Sequence, residues 1–206
     1  MENNTTATKE WANPTPAGLV ALAVACFLFF ALLTGRVEKS AMPILGSYLI
    51  GGFFIQFVVA LLDLKGGNLS GGNTFLYFSA YFMLVSGAGM FLKYFVPGMD
   101  TRIDGWAWMV LALTLALWTP AFYKGPALLF GIVLGLNVAL PCIVVSDLKL
   151  FAPEIGKIFG ETAGYALLAC GILGIYLAAA LVLNGSYGKT VLPNPAPLYG
   201  RKKRKQ

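Results

Sequence analysis

The residues best placed to do chemistry in this chain are neutral. Asn13-Pro14-Thr15-Pro16-Ala17-Gly18-Leu19 stands at the head of a long apolar run, and Gln56 and Asn137 lie in the middle of two others. Asn is a favoured helix cap and Pro is tolerated in a first turn, so the plainest account of the heptapeptide is a helix start. Two prolines stiffen that start, and the unpartnered amides of a first turn, at the positive end of the helix dipole, offer an anion a place to pause. Gln56 and Asn137 can donate hydrogen bonds to a carboxylate without trapping it as a fixed cation would. Hydrogen bonding between helices, as packing glue, is the equal alternative for both.

Other chemistry is excluded by what is missing. The chain has no histidine, so a His-ligated haem, a His-based metal site, a Ser-His-Asp triad and a His proton relay are ruled out. Cys26, Cys142 and Cys170 sit inside apolar stretches without metal-ligand spacing and read as small packing residues. No Asp, Glu, Lys or Arg falls near the middle of an apolar stretch, which disfavours a retinal Schiff base and a pump driven by buried titrating carboxylates. Asp63 and Lys93 fall at stretch ends, where they can snorkel. No nucleophile and base stand at useful spacing, so an enzyme is not expected, nor any cofactor or metal.

The elements that position these groups are membrane spans. Of 206 residues, 58% are hydrophobic and 12% charged, about half the charge of an average soluble domain. Mean hydropathy is +0.74. Apolar runs over 17–35, 41–62, 74–95, 106–123, 126–145 and 162–184 each approach the ~20 residues that cross ~30 Å of hydrocarbon. The expected architecture is an all-α integral membrane protein of six transmembrane helices, with a polar tail at 1–12, a membrane domain at 13–184 and a basic, proline-containing tail at 185–206. The polar start lacks a basic region ahead of a short apolar core, so a removable signal is not expected.

The net charge of +6 falls to +1 without Arg201, Lys202, Lys203, Arg204 and Lys205. Six spans put both termini on one side, and this cluster assigns that side to the cytoplasm of a cell membrane. Trp106 and Trp108 at one end of span four, with Trp118, Phe122 and Tyr123 at the other, suit an interfacial aromatic belt. The glycine-rich connector 65–73 lacks the strand and Gly-Lys-Ser/Thr ending of a phosphate loop and reads as a turn. The break 146–161, with Leu150, Phe151, Ile155, Ile158 and Phe159, suits a short amphipathic helix on the membrane surface. Gly131, Gly135 and Ala139 form one small-residue ladder, and Ala166, Cys170, Gly174 and Ala178 another; either could pack within a subunit or between subunits.

The opening heptapeptide resembles the signature Asn-Pro-Ala-Pro-x-Gly-Leu of the acetate uptake transporters, which include bacterial succinate/acetate permeases and fungal relatives. It departs only by Thr15 in place of Ala. The resemblance continues through Gln56, Leu61-Leu62-Asp63 and Gly67-Asn68. It is strongest at Cys170-Gly171, Ile175-Tyr176-Leu177-Ala178 and Val182-Leu183-Asn184, running on to Gly188-Lys189-Thr190-Val191-Leu192-Pro193. It implies a homo-hexamer in which each subunit has its own path for small carboxylates such as acetate, with succinate a second substrate. Asn13, Pro14, Pro16, Gly18 and Leu19 of the opening motif, with the neutral amides Gln56 and Asn137 offsetting the cost of desolvating a carboxylate, are the expected substrate-binding residues. By the same resemblance Leu22, Phe78 and Leu136 are the expected constriction, with Leu22 where bacterial relatives often have an aromatic and Phe78 where they have a tyrosine. Leu181 stands where some relatives carry an acidic residue.

An apolar ring resists wetting and excludes hydrated inorganic ions, while a small acid can present its methyl group to the ring and its carboxylate to amide donors. Coupling to protons then requires that the substrate carry the proton or that a peripheral carboxylate such as Asp63 take part. A second Asn-Pro-Ala-Pro at 194–197 reads as an extended linker, with the basic cluster near anionic headgroups rather than nucleic acid. The alternative to a channel or permease is a structural subunit whose ladders and basic tail assemble a larger complex.

Overall fold

The structure, a computed structural model, describes residues 11–198. The terminal basic cluster Arg201 to Lys205 and most of the polar tail at 1–12 lie outside the described residues. Six helices are long and apolar enough to cross a membrane: α1 (Thr15–Leu33), α2 (Lys39–Lys65), α3 (Leu69–Phe95), α4 (Arg102–Lys124), α5 (Ala127–Asp147) and α6 (Pro153–Tyr187). Among the described residues there is no strand.

Helix starts follow local chemistry. Pro falls in the first turn of α1 and α6, and Pro43 follows the short 3-10 turn Lys39–Ala41 that opens α2, positions where a missing N–H costs nothing. Asn68 caps α3 by accepting from the Gly71 amide at 3.0 Å, so the glycine-rich connector is a turn, as its composition suggested. Gly188, at φ +62°, ends α6 in the left-handed conformation that glycine adopts freely.

The helices pack in the spatial order α4, α5, α6, α1, α2, α3, and α3 meets α4 through aromatic pairs, Phe82 with Trp108 and Tyr77 with Trp118. The ring of six is thereby closed around one apolar core. Its tightest seams are made by missing side chains: a Cβ on Gly46 would run into the Gly87 carbonyl of α3, and one on Gly135 into Cys170 Sγ of α6. Gly174 lies against the Leu19 carbonyl of α1. Both small-residue ladders therefore pack within the subunit, where close backbone approach gives dispersion contacts that lipid cannot match.

Three features depart from the sequence reading or add to it. The segment expected as a surface helix at 146–161 is instead partly the start of α6, which runs unbroken for 35 residues, about 52 Å at the usual rise, because nothing between Pro153 and span six breaks helical geometry. The extended segment after α6 is tied down to the bundle. Asn184 accepts from the Val191 and Leu192 amides and donates to the Leu192 carbonyl, Tyr176 donates to the Pro193 carbonyl, and the Ala127 amide donates to Pro195. The second Asn-Pro-Ala-Pro is thus pinned over the start of α5. Finally, α3 is π-helical over Phe78–Val85, a rare geometry that concentrates at functional sites.

Candidate functional site

At one end of the bundle the start of α1 meets the end of α2. Asn13 Oδ1 accepts from the Thr15 amide at 3.0 Å, Pro16 has no N–H, and the Ala17 amide donates to the Pro14 carbonyl at 3.1 Å. The amides expected to stand open in this first turn are therefore largely taken, and Asn13 is what fills the first of them. Thr15 Oγ1 reaches Asp63 at 3.3 Å, and Asn68 Nδ2 donates to the same carboxylate at 3.2 Å. Asp63 is only 4% exposed. It does not snorkel, because these two donors hold it inward against the head of α1. Trp11, Asn13, Pro14, Thr15, Asp63 and Lys65 line an open mouth of about 970 Å³ at this end.

One turn deeper, Gly18 and Leu19 are buried, and Gln56 Nε2 donates to the Gly18 carbonyl at 3.3 Å. Gln56 is 1% exposed, and its Oε1 has no hydrogen-bond partner. Half of this side chain joins α1 to α2. The other half is an orphaned buried acceptor, a state that costs about 1–3 kcal/mol and is uncommon without a reason.

Leu22 of α1, Phe78 of α3 and Leu136 of α5 are all buried in the same apolar cluster. The π-helical turn of α3 adds Phe82, which is fully buried. Its ring lies 5.3 Å from Phe29, 5.5 Å from Phe78 and 5.7 Å from Trp108. Phe29, Phe78, Phe82 and Trp108 thus form one aromatic group within this core. Sequence reasoning missed Phe82, although its four-residue spacing from Phe78 was visible, and assigned Trp108 to the aromatic belt. Trp106 is 60% exposed and suits that belt, but Trp108 is 8% exposed, because it sits on the face of α4 that packs on Phe82. Phe122 is likewise buried rather than interfacial.

Asn137 is not brought to Gln56. Its Nδ2 donates to Thr119 Oγ1 of α4 at 2.6 Å, and it lines an outer groove between α4 and α5 with Leu113 and Pro141. Pro141 also deprives the Asn137 carbonyl of its helical donor. Leu136, one residue earlier, turns about 100° away into the core.

At the opposite end, where α1 and α5 finish and α4 begins, a cavity of about 210 Å³ is lined by Phe29, Met42, Trp108, Lys93, Asp104 and Asp147 among others. Lys93 Nζ lies 2.6 Å from Asp104 Oδ2. In the nearby connector, hydrogen bonds from Arg102 hold the Asp100 carboxyl well below the usual carboxylate range, so this group stays ionised. Among the described residues no cluster could hold a metal ion.

No family model matches the chain. It is 29% identical over 188 residues to the succinate-acetate/proton symporter SatP of Escherichia coli strain K12, and equally to that of Shigella flexneri, covering 88% of this chain and 94% of each relative. The structure of the bacterial acetate channel SatP superposes with a TM-score of 0.78 at 23% identity, over 89% of this chain and 99% of that one. The likeness first visible at Asn13 to Leu19 extends to nearly the whole sequence and to the fold of a multi-pass membrane protein. Over nearly its whole length, then, the chain is similar to the SatP symporters, in sequence and in fold.

Proposed function

We propose that this protein conducts acetate and other small carboxylates across a cell membrane, with succinate a second substrate. The observation that carries the reading is the sequence of environments along the bundle: a polar mouth at Asn13, Thr15 and Asp63, an apolar waist at Leu22, Phe78, Phe82 and Leu136, and a charged cavity at Lys93, Asp104 and Asp147. A short acid suits that order, since its methyl group matches the waist and its carboxyl group matches the mouths. Gln56, with its orphaned acceptor, stands between the first mouth and the waist and is the group best placed to meet a carboxylic acid proton. Asn137 joins α4 to α5 and lies off this route.

The assembly that goes with this reading is a homo-hexamer with a path in each subunit and both termini cytoplasmic. The residues that hold each path come from one chain, and the ladders that could have served a purely structural subunit are used up inside it. The test is flux. Purified protein in proteoliposomes should take up labelled acetate, with succinate competing, and an imposed pH gradient should change the rate if a proton moves with the acid. Absence of acetate-dependent uptake by well-folded protein would overturn the reading.

A further inference from the structure

The cavity at the end away from Asn13 holds three charged side chains that snorkelling does not account for. Lys93 comes from α3, Asp104 from α4 and Asp147 from α5, and all three line the same space. α1 contributes Phe29, Leu32 and Leu33, α2 contributes Met42, and α6 contributes none of the lining. Tyr81, Ser86 and Trp108 add the neutral polar atoms. One cation therefore faces two carboxylates, and with all three ionised the cluster carries one net negative charge.

That arrangement is a poor receiver of anions as it stands. Lys93 is already held by Asp104 at 2.6 Å, and a substrate carboxylate would bring a second uncompensated negative charge into a partly buried space, where charge interactions are several times stronger than in water. Neutralising one carboxylate removes the obstacle. Asp147 is the free one, since Asp104 is engaged with the lysine. The volume, about 210 Å³, leaves room for a short acid together with water, which needs only about 10–15 Å³ of such space per molecule.

We propose that this cavity is the second carboxylate site on the route, and that Asp147 takes up the proton that accompanies each substrate through it. The inference rests on the reading that the protein conducts small carboxylates. A proton from the aqueous side binds Asp147, and one carboxylate then enters beside Lys93, so the cluster again carries one net negative charge. Before the substrate meets Phe82, the Asp147 O–H bond breaks and an O–H bond forms on the substrate. The neutral acid moves into the waist and Asp147 is left ionised as at the start. One proton and one carboxylate move together, and no charge crosses the apolar plug, where an ion would lose several kcal/mol of hydration.

Calorimetric titration of the purified full-length protein with sodium acetate, in buffers of differing ionisation enthalpy near neutral pH, counts the protons taken up on binding. Wild type should take up about one proton per acetate, Asp147→Asn none, and Asp147→Glu about one again. Lys93→Gln should weaken acetate binding about tenfold or more, the loss of a charge-assisted contact. In proteoliposomes the Asp147→Asn variant should lose the response of flux to pH that wild type shows. Acetate binding by wild type without proton uptake, or undiminished proton uptake by Asp147→Asn, would overturn the proposal and leave conduction intact. Wild type that neither binds nor transports acetate would overturn both.

Discussion

Thr15 Oγ1 donates to the Asp63 carboxylate at 3.3 Å, joining the first turn of α1 to the last turn of α2. Thr15 is the single position at which the opening heptapeptide differs from the family signature it resembles. Asp63 is 4% exposed, so the substitution supplies a donor to a buried acid. Thr15→Ala should therefore restore the signature at the expense of one hydrogen bond. The expected result is a fall in thermal stability of about 1.5–3 kcal/mol at most, the range for a bond to a charged group, with acetate uptake retained. Thermal unfolding followed by light scattering, beside a flux assay, checks both halves.

Asn13→Ala removes the side chain that accepts from the Thr15 amide. Loss of one such exposed hydrogen bond costs about 0.5–1.5 kcal/mol, too little to unfold a six-helix bundle. Labelled-acetate uptake should nevertheless be abolished with assembly intact. Unchanged uptake would remove Asn13 from the site.

Gln56 separates the glue reading from the transport reading. Its Nε2 makes one interhelical bond and its Oε1 makes none. Gln56→Leu, close in volume, should change stability by about 1 kcal/mol or less, since removing an unpaired acceptor offsets the lost bond. Uptake should fall by an order of magnitude or more, as for a lost polar contact worth about 1.4 kcal/mol in the barrier. A stability loss without a flux loss would assign the residue to packing alone.

Phe82 touches Phe29, Phe78 and Trp108. Phe82→Ala should open the waist, and the measurable consequence is leak of hydrated inorganic ions such as chloride through reconstituted protein that wild type excludes. The same change costs about 3–5 kcal/mol of packing, so the milder Phe82→Leu belongs in the same series and should leak less.

Gly135→Leu tests the α5–α6 seam. A Cβ there runs into Cys170 Sγ with the Ala166 carbonyl in van der Waals contact beside it, so a side chain as long as leucine has no room unless α5 and α6 move apart. Overpacking of about 1–3 kcal/mol or more is expected, visible as loss of the monodisperse peak in size-exclusion chromatography.

The spans were legible in the sequence because a bilayer imposes length and composition together, and because α1, α3 and α5 carry at most one charged residue each. The motif at Asn13 was legible because two prolines around a small residue are conspicuous. The directions of side chains were not. Trp106 and Trp108 are equally aromatic, but only helix phase decides that one meets lipid and the other Phe82. Asp63 looked peripheral because the sequence shows depth along the membrane and not which neighbours fold over it. Asn137 and Leu136 are adjacent in sequence and about 100° apart around the helix, so the polar partner of Gln56 could not be chosen from mid-span position alone. The charged cavity was hidden for a different reason: Lys93, Asp104 and Asp147 come from three helices, with no spacing that announces them.

The π-helical stretch Phe78–Val85 sits upstream of Lys93 on the same helix. A wide turn takes in an extra residue, and every side chain beyond it is rotated by about 100° relative to an uninterrupted α-helix. Fifteen α-helical steps of about 100° already bring Phe78 and Lys93 to within about 60° of one face, and the wide turn keeps them on that side. Removing one residue from this stretch would let it close into an ordinary α-helix with the residues beyond it keeping their faces, so Lys93 would stay within reach of Asp104 while the waist at Phe78 and Phe82 would have to repack.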